Sequence, residues 1–284
     1  MKDISKSETI LVPHDFTPVA DFALQHANLF AKLVGLNVTL THIVKKENDK
    51  EDARKRLEQI ALKNETENRI QTKATVAEGN YLSKIGEVAD LTKAGIAIMG
   101  THGVRGVQKV VGSYALKVIT QSDIPYIVVQ EPPKENQTID NIVIPLDFSK
   151  ESKQKLYAIL GVANLFKSKI HIIADYESDE FTSASMRNNI KYAANFLSEN
   201  NLEHTIVELE KKNKGLVDET LNYSLKVNAD LLVVMTSVEG KLSSLIMGES
   251  EQVLIANKEL IPVMCMNSMK GSILAHGMDI AHGG

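Results

Sequence analysis

The glycine-rich stretch "MGTHGVRGVQKVVGSYALKVI", residues 99–119, holds the residues of this chain best suited to binding chemistry. Four glycines stand there between a short apolar run and a segment with helical periodicity. Bare backbone amides of glycine approach an anion closely. Gly112 and Ser113 come directly before the helical segment, and the free N–H groups and dipole of a helix N-terminus favour phosphate. The stretch therefore predicts a phosphate-binding turn.

Two well-known phosphate motifs do not describe this stretch. A Walker A loop needs Gly-Lys-Ser/Thr at a fixed spacing, and a GxGxxG dinucleotide motif would follow the first strand instead of the fourth.

His14, His42 and His102 are the residues that invite a catalytic interpretation, but no nucleophile or paired carboxylate accompanies them at a recognisable spacing. His42 ends an apolar run, which favours a packed and hydrogen-bonded residue. We therefore predict no catalytic residue.

Short apolar runs alternate with longer helical patterns along the first half of the chain. This alternation predicts an α/β fold, a parallel sheet covered by helices. Such sheets bind ligands beyond the carboxyl ends of their strands, at the point where strand order reverses. "VPHDF" after the first run and the glycine-rich stretch after the fourth are the predicted walls of that crevice. The runs are 9–13, 37–44, 70–76, 95–100 and 125–130, and the helical segments are 19–35, 50–66, 80–94 and 107–121.

The chain repeats this scheme in its second half. "NIVIPLDF" (141–148) answers "TILVPHDF" (9–16), and "NADLLVVM" (228–235) answers "KAGIAIMG" (93–100), with a shift that drifts only from 132 to 137. We predict two tandem Rossmann-like domains, each an open, mostly five-stranded parallel sheet with helices on both faces. The predicted domains are 1–133 and 139–268, joined by a polar linker at 131–138 and followed by a tail at 269–284.

"VPHDF", "LTHIV" and "MGTHG…GS" resemble the universal stress protein family, and the duplicated layout resembles its tandem members. The resemblance covers residues 8–130 and 140–267. Nucleotide-binding members of the family carry G-x2-G-x9-G-[S/T] after the fourth strand. Here Gly100 and Gly103 fit the pattern, but eight residues separate Gly103 from Gly112, so the loop is one residue shorter.

The resemblance implies a nucleotide site in the first half. The triphosphate and ribose side would comprise Gly100, Gly103, Gly112 and Ser113, and the adenine side Val12, Pro13, Asp15 and Ile43, with Met99 and Tyr114 adjoining the glycines. Tyr114 replaces a small apolar residue and narrows the site. Asp15 has an alternative, because a carboxylate after a strand also steadies the turn before a helix, here with Thr17 as N-cap and Pro18 as first helical residue.

The second half carries a degenerate copy of the glycine-rich stretch. Met235 stands in the place of Gly100, Val238 in that of Gly103, and Glu249 in that of Ser113. Larger side chains restrict the backbone, and a carboxylate repels a triphosphate. We therefore expect no ATP at the second copy. The family resemblance implies that the two halves pair through "PYIVVQ" and "IPVMCMN".

These observations favour a stress-response protein that binds ATP or a related adenine nucleotide, with Mg²⁺ as an accompanying ion, and that signals or protects by binding. A scaffold without nucleotide and a slow ATP hydrolase are the alternatives, and a binding protein is favoured over an enzyme. A net charge of −4 gives no reason to expect nucleic acid or an anionic membrane as partner. Assembly into a homodimer stays open.

The remaining composition indicates a cytoplasmic protein. Cys265 is the single cysteine and lies in an apolar run, which predicts a buried strand residue and a reducing compartment. The longest apolar runs fall short of a membrane span. His276 and His282 in the tail lack a third ligand, so we predict no metal site.

Overall fold

The structure is a computed structural model that describes residues 7–101, 113–147, 152–175, 179–209, 215–236 and 249–267. The strands are β1 (Thr9–Pro13), β2 (Asn37–Val44), β3 (Thr72–Glu78), β4 (Ala94–Gly100), β5 (Tyr126–Val129), β6 (Asn141–Leu146), β7 (Lys169–Ala174), β8 (His204–Glu208), β9 (Leu231–Thr236) and β10 (Val263–Asn267). The helices are α1 (Pro18–Val34), α2 (Lys50–Asn68), α3 (Tyr81–Leu91), α4 (Ser113–Gln121), α5 (Ser152–Phe166), α6 (Glu180–Glu199), α7 (Leu216–Lys226) and α8 (Glu249–Ile255).

The strands lie in one hydrogen-bonded sheet in the order β3-β2-β1-β4-β5-β10-β9-β6-β7-β8. All neighbouring strands run parallel except β5 and β10, which pair antiparallel with Val128 opposite Val263 and Tyr126 opposite Cys265. The predicted α/β class with mostly parallel strands is confirmed. The two sets of five strands are continuous in one sheet because β5 and β10 hydrogen-bond to each other.

Helices cover both faces of this sheet and bury two hydrophobic clusters. One cluster lies under α1, α2, α5 and α6 and includes Ile10, Val12 and Ile98. The other lies under α3, α4, α7 and α8 and includes Leu11, Met99 and Cys265. Neighbouring residues of a buried strand thus enter opposite clusters, as the two-residue period of a strand requires. Cys265 is buried, as predicted, and burial raises the pKa of its thiol.

Local sequence sets the element ends close to the predicted ones. Helix α1 begins with Pro18 after Thr17, whose extended backbone (φ −95°, ψ 158°) matches an N-cap. It ends at Gly35, where φ is 70° and the amide donates to the carbonyl of Ala31. Helix α3 is shorter than the predicted 80–94, because Lys93 adopts φ 53° and directs the chain into β4. Within the described residues no helix is long and apolar enough to cross a membrane.

Candidate functional site

The crevice between β1 and β4 is the first element of the candidate site. Pairing between these two strands ends at Leu11 and Ala97. Beyond that point β1 continues beside β2, with Pro13 opposite Thr41, while β4 continues beside β5. The carboxyl ends of β1 and β4 therefore separate at the place where strand order reverses, which is where open parallel sheets bind ligands.

The turn that follows β1 uses the Asp15 side chain. Its Oδ1 accepts hydrogen bonds from the backbone nitrogen of Thr17 at 3.1 Å and from Thr17 Oγ1 at 2.5 Å. Asp15 itself is exposed. The carboxylate thus steadies the start of α1, which is the structural alternative raised from the sequence. Both bonds use the same oxygen, and a ligand contact through Oδ2 is compatible with them.

Phe16 lies in the same turn in a conformation that L residues seldom adopt, with φ of 63°. Its ring packs against the His42 ring, at 4.5 Å between centroids. The guanidinium carbon of Arg56 lies 4.0 Å from the centroid of the Phe16 ring, within cation–π range. These contacts hold the strained residue and fix the direction in which the chain leaves β1.

His14 and His42, two of the three histidines singled out in the sequence, support this turn. His14 is buried, its Nδ1 accepts from the Phe16 amide at 3.2 Å, and its Nε2 therefore donates to Asp21 Oδ1 at 3.2 Å. Burial lowers the pKa of His14, and the Asp21 carboxylate opposes that change. His42 donates from Nδ1 to the His14 carbonyl at 2.7 Å. His42 is thus the packed, hydrogen-bonded residue that was predicted, and His102 lies outside the described residues.

Packing requires a glycine at position 100, which the sequence alone did not reveal. A Cβ at this position would meet the main chain of Val19 in the first turn of α1. Helix α1 therefore crosses directly over the end of β4. The glycine is required by the fold at this point, whether or not its amide binds a ligand.

The apolar residues predicted for the site divide between the two faces of the sheet. Ile43 and Met99 pack in the cluster under α3 and α4. The side chain of Val12 is fully buried in the cluster under α1, so any ligand contact of Val12 uses its backbone. Tyr81, which the sequence did not single out, starts α3 and packs against the same cluster as Ile43. Burial, reinforced by the Asp15 carboxylate, raises the pKa of Tyr81 to about 12.

Helix α4 begins at Ser113, the residue predicted to follow the phosphate turn. Its residues Ala115 and Leu116 pack against the same cluster as Ile43 and Met99. For Ser113 and Tyr114 the structure describes the backbone alone. Gly103 and Gly112 lie outside the described residues, so their predicted roles stay predictions.

The corresponding edge of the second set of strands is built differently. Pairing of β6 with β9 ends at Val143 and Leu232, so these strands also separate. Met235 occupies the place of Gly100, and its side chain is buried in the cluster under α5. The buried Lys155 of α5 donates to the Pro145 carbonyl at 2.7 Å. Burial lowers the pKa of Lys155, and the carboxylates of Asp147 and Glu251 oppose that change.

Among the described residues, no group of three or more His, Cys, Asp or Glu side chains is arranged to hold a metal ion.

A sequence model of the universal stress protein family matches residues 6–130. No curated protein matches the chain. A universal stress protein from Archaeoglobus fulgidus DSM 4304 aligns with 93% of this chain and 100% of its own, at 18% identity and a TM-score of 0.76. A Pseudomonas aeruginosa UCBPP-PA14 protein assigned to the same family aligns with 99% of both chains, at 18% identity and a TM-score of 0.68. A shorter universal stress protein from Archaeoglobus fulgidus, solved in complex with dAMP, covers 44% of this chain and 98% of its own, at 20% identity and a TM-score of 0.37.

The two longer structures share their fold with nearly all of this chain, including both sets of five strands. The sequence match is confined to the first set and includes the turn after β1 and the end of β4. Residues 6–130 therefore belong to the universal stress protein family, and nearly the whole chain shares the fold of the two longer structures.

Proposed function

We propose that this universal stress protein is a stress-response binding protein that takes ATP or a related adenine nucleotide, with Mg²⁺, in the crevice between β1 and β4. The observation that carries the proposal is the separation of these strands after Leu11 and Ala97. The glycine-rich stretch starts at the open end of β4, and α4 begins within it at Ser113. An anion there would meet a helix N-terminus and glycine amides.

In this proposal the domain of residues 139–268 binds no nucleotide and serves as partner to the domain of residues 1–133. The buried side chain of Met235 supports this, because it occupies the position at which the first domain has Gly100. The buried Lys155 side chain also lies at this edge, where it donates to the Pro145 carbonyl at 2.7 Å. We also propose that the protein works in the cytoplasm.

Calorimetric titration of the whole protein tests the nucleotide proposal. ATP, ADP, AMP, dAMP and GTP are compared, with and without MgCl₂, and mass spectrometry of the purified protein identifies any nucleotide that accompanies it. The proposal expects one adenine-nucleotide site per chain, lost in Gly112→Val. Two equivalent sites would overturn the division of roles between the domains. Absence of binding by every nucleotide at millimolar concentration would overturn the nucleotide function.

The hydrogen bonds that the Asp15 carboxylate accepts within its own turn favour a second candidate function, a stress scaffold without nucleotide. Its Oδ1 already binds Thr17 twice, so the turn after β1 needs the carboxylate for its own structure. Thermal unfolding separates the two candidates, because a ligand that prefers the folded state must raise its melting temperature. A scaffold would show the same melting temperature with and without ATP.

A further inference from the structure

Two amide side chains, one from each half of the chain, connect the halves across the β5–β10 pair. Asn267, the last residue of β10, donates from Nδ2 to the carbonyl oxygens of Ile119 and Ser122, each at 2.7 Å. Ile119 lies in the last turn of α4, where its carbonyl also accepts from the Ser122 amide at 3.2 Å, and Ser122 directly follows the helix. A helix end leaves such carbonyls without intrahelical donors, and a side-chain amide satisfies them. The second half of the chain therefore holds the end of a helix that belongs to the first.

Gln130 makes the corresponding contact in the opposite direction. It follows β5, and its Nε2 donates to the carbonyl oxygens of Ile255 at 3.3 Å and Asn257 at 3.2 Å, at the end of α8. Gln130 and Asn267 are 137 residues apart (267 − 130), the same shift that relates Pro125 to Pro262. The signal in the sequence was an amide at the end of the last strand of each half.

The side-chain amides of Asn267 and Gln130 differ in the hydrogen bonds that orient them. The Oδ1 of Asn267 accepts a hydrogen bond from Thr236 Oγ1, a fully buried group at the end of β9. The Oε1 of Gln130 is buried and has no partner among the described residues. The donor distances of Asn267 are also shorter than those of Gln130. Asn267 is therefore the more firmly oriented of the two.

The helix that Asn267 holds packs against both halves of the chain. Helix α4 packs against β10 and α3, whereas α8 packs against β9 and α7 of its own half. Helix α4 has nine residues and a length of about 13 Å, so its two ends move as one rigid piece. A shift of its C-terminus would therefore also shift Ser113 at its N-terminus.

We propose that Asn267 is a positioning residue of the nucleotide site, and that it sets the direction of the α4 N-terminus toward the bound phosphates. This inference rests on the proposed function. Phosphate binding at a helix N-terminus depends on where the first N–H groups point. When a residue that supports such a site is removed, the site becomes less rigid and binds its ligand less tightly, although that residue does not touch the ligand. The second half would then persist without a nucleotide site of its own because its last strand orients the site of the first.

Asn267→Leu removes the amide at nearly constant size, and Gln130→Met is the matched control on α8. Two measurements are made on the full chain, after circular dichroism shows that both variants fold. Hydrogen–deuterium exchange without ligand tests the positioning of α4, residues 113–121. Calorimetric titration with ATP tests whether that positioning serves the site.

Asn267→Leu should raise exchange in α4 and weaken ATP binding about tenfold. Gln130→Met should raise exchange in α8 and change ATP affinity less than about twofold. Unchanged exchange in α4 of Asn267→Leu would overturn the inference, whatever the affinity. Altered exchange with an unchanged ATP affinity would also overturn it. If the wild-type protein binds no nucleotide, the proposed function fails and this inference fails with it. If the wild-type protein binds ATP and Asn267→Leu gives either contrary result, the inference fails while the proposed function stands.

Discussion

A Cβ atom at Gly100 would stand 1.9 Å from the carbonyl oxygen of Val19. It would also lie 3.0 Å from the backbone nitrogen of Ala20, so the obstruction is the main chain of α1. A backbone segment in the first turn of a packed helix cannot rotate aside as a side chain does. Gly100 is therefore fixed by the approach of α1 to β4, in addition to any role in binding.

Gly100→Ala should lower the free energy of unfolding by about 3 kcal/mol, because an extra carbon in a packed contact forces α1 away from β4. Urea denaturation measures the change. Gly86→Ala in α3 is the control, since a Cβ there meets nothing within 4 Å. It should stabilise by about 0.5–1 kcal/mol through helix propensity. Equal stability of the two variants would contradict the close approach of α1.

Substitutions at Asp15 separate its two roles. Asp15→Asn keeps a side-chain oxygen for the Thr17 amide and should change stability by less than about 0.5 kcal/mol. Asp15→Ala removes both bonds to Thr17 and should cost about 1 kcal/mol. Denaturation gives the stabilities and calorimetry gives the ATP affinities. An Asn variant that keeps its stability and loses ATP affinity would identify Asp15 as a ligand contact, and unchanged stability of Asp15→Ala would refute the turn role.

His26 should make the protein less stable in mild acid. Its ring is buried in α1 and donates from Nε2 to the Glu131 carbonyl at 3.1 Å. Burial lowers the pKa of His26 from 6.5 to about 4, although the hydrogen bond to Glu131 opposes this. Between these values the unfolded chain binds more protons than the folded one, so the free energy of unfolding falls as pH falls.

This single group should account for about 3 kcal/mol of lost stability between pH 7 and pH 4. Denaturation across this range is compared in wild type and His26→Gln, which retains a hydrogen-bond donor but does not titrate. The two curves should converge toward pH 4. Curves that stay parallel over the whole range would show that His26 titrates normally.

Lys155 should change the stability of the protein at alkaline pH. Burial lowers the pKa of its ammonium below the usual 10.5. Between the folded pKa and 10.5 the unfolded chain again binds more protons, so stability rises with pH in that window. Lys155→Met, of similar size, lacks this contribution. Wild type should therefore gain stability over Lys155→Met as pH rises toward 10. An advantage that shrinks with rising pH would mean that the ammonium is held by its carboxylate neighbours.

The parts of this fold that depend on local pattern were predictable from the sequence. The run at 37–44 coincides with β2, and Pro18 begins α1, because alternation and proline act over a few residues. The need for Gly100 was not predictable, since it arises from a helix that crosses the strand end. Contacts that join distant segments, such as Asn267 to Ile119, are signalled in the sequence only by the amide that recurs at positions 130 and 267, which does not identify the partner. The replacement of a glycine by Met235 could be recognised only because the two halves of the sequence can be compared.

The pairing of β5 with β10 takes place within one polypeptide, whose two sets of strands are joined by the short segment at 130–140. Tethered surfaces meet at an effective concentration on the order of millimolar, far above that of most free proteins. Dilution therefore does not separate these strands as it would separate two independent molecules. The amount of this protein in a cell has no influence on whether its central pair of strands forms.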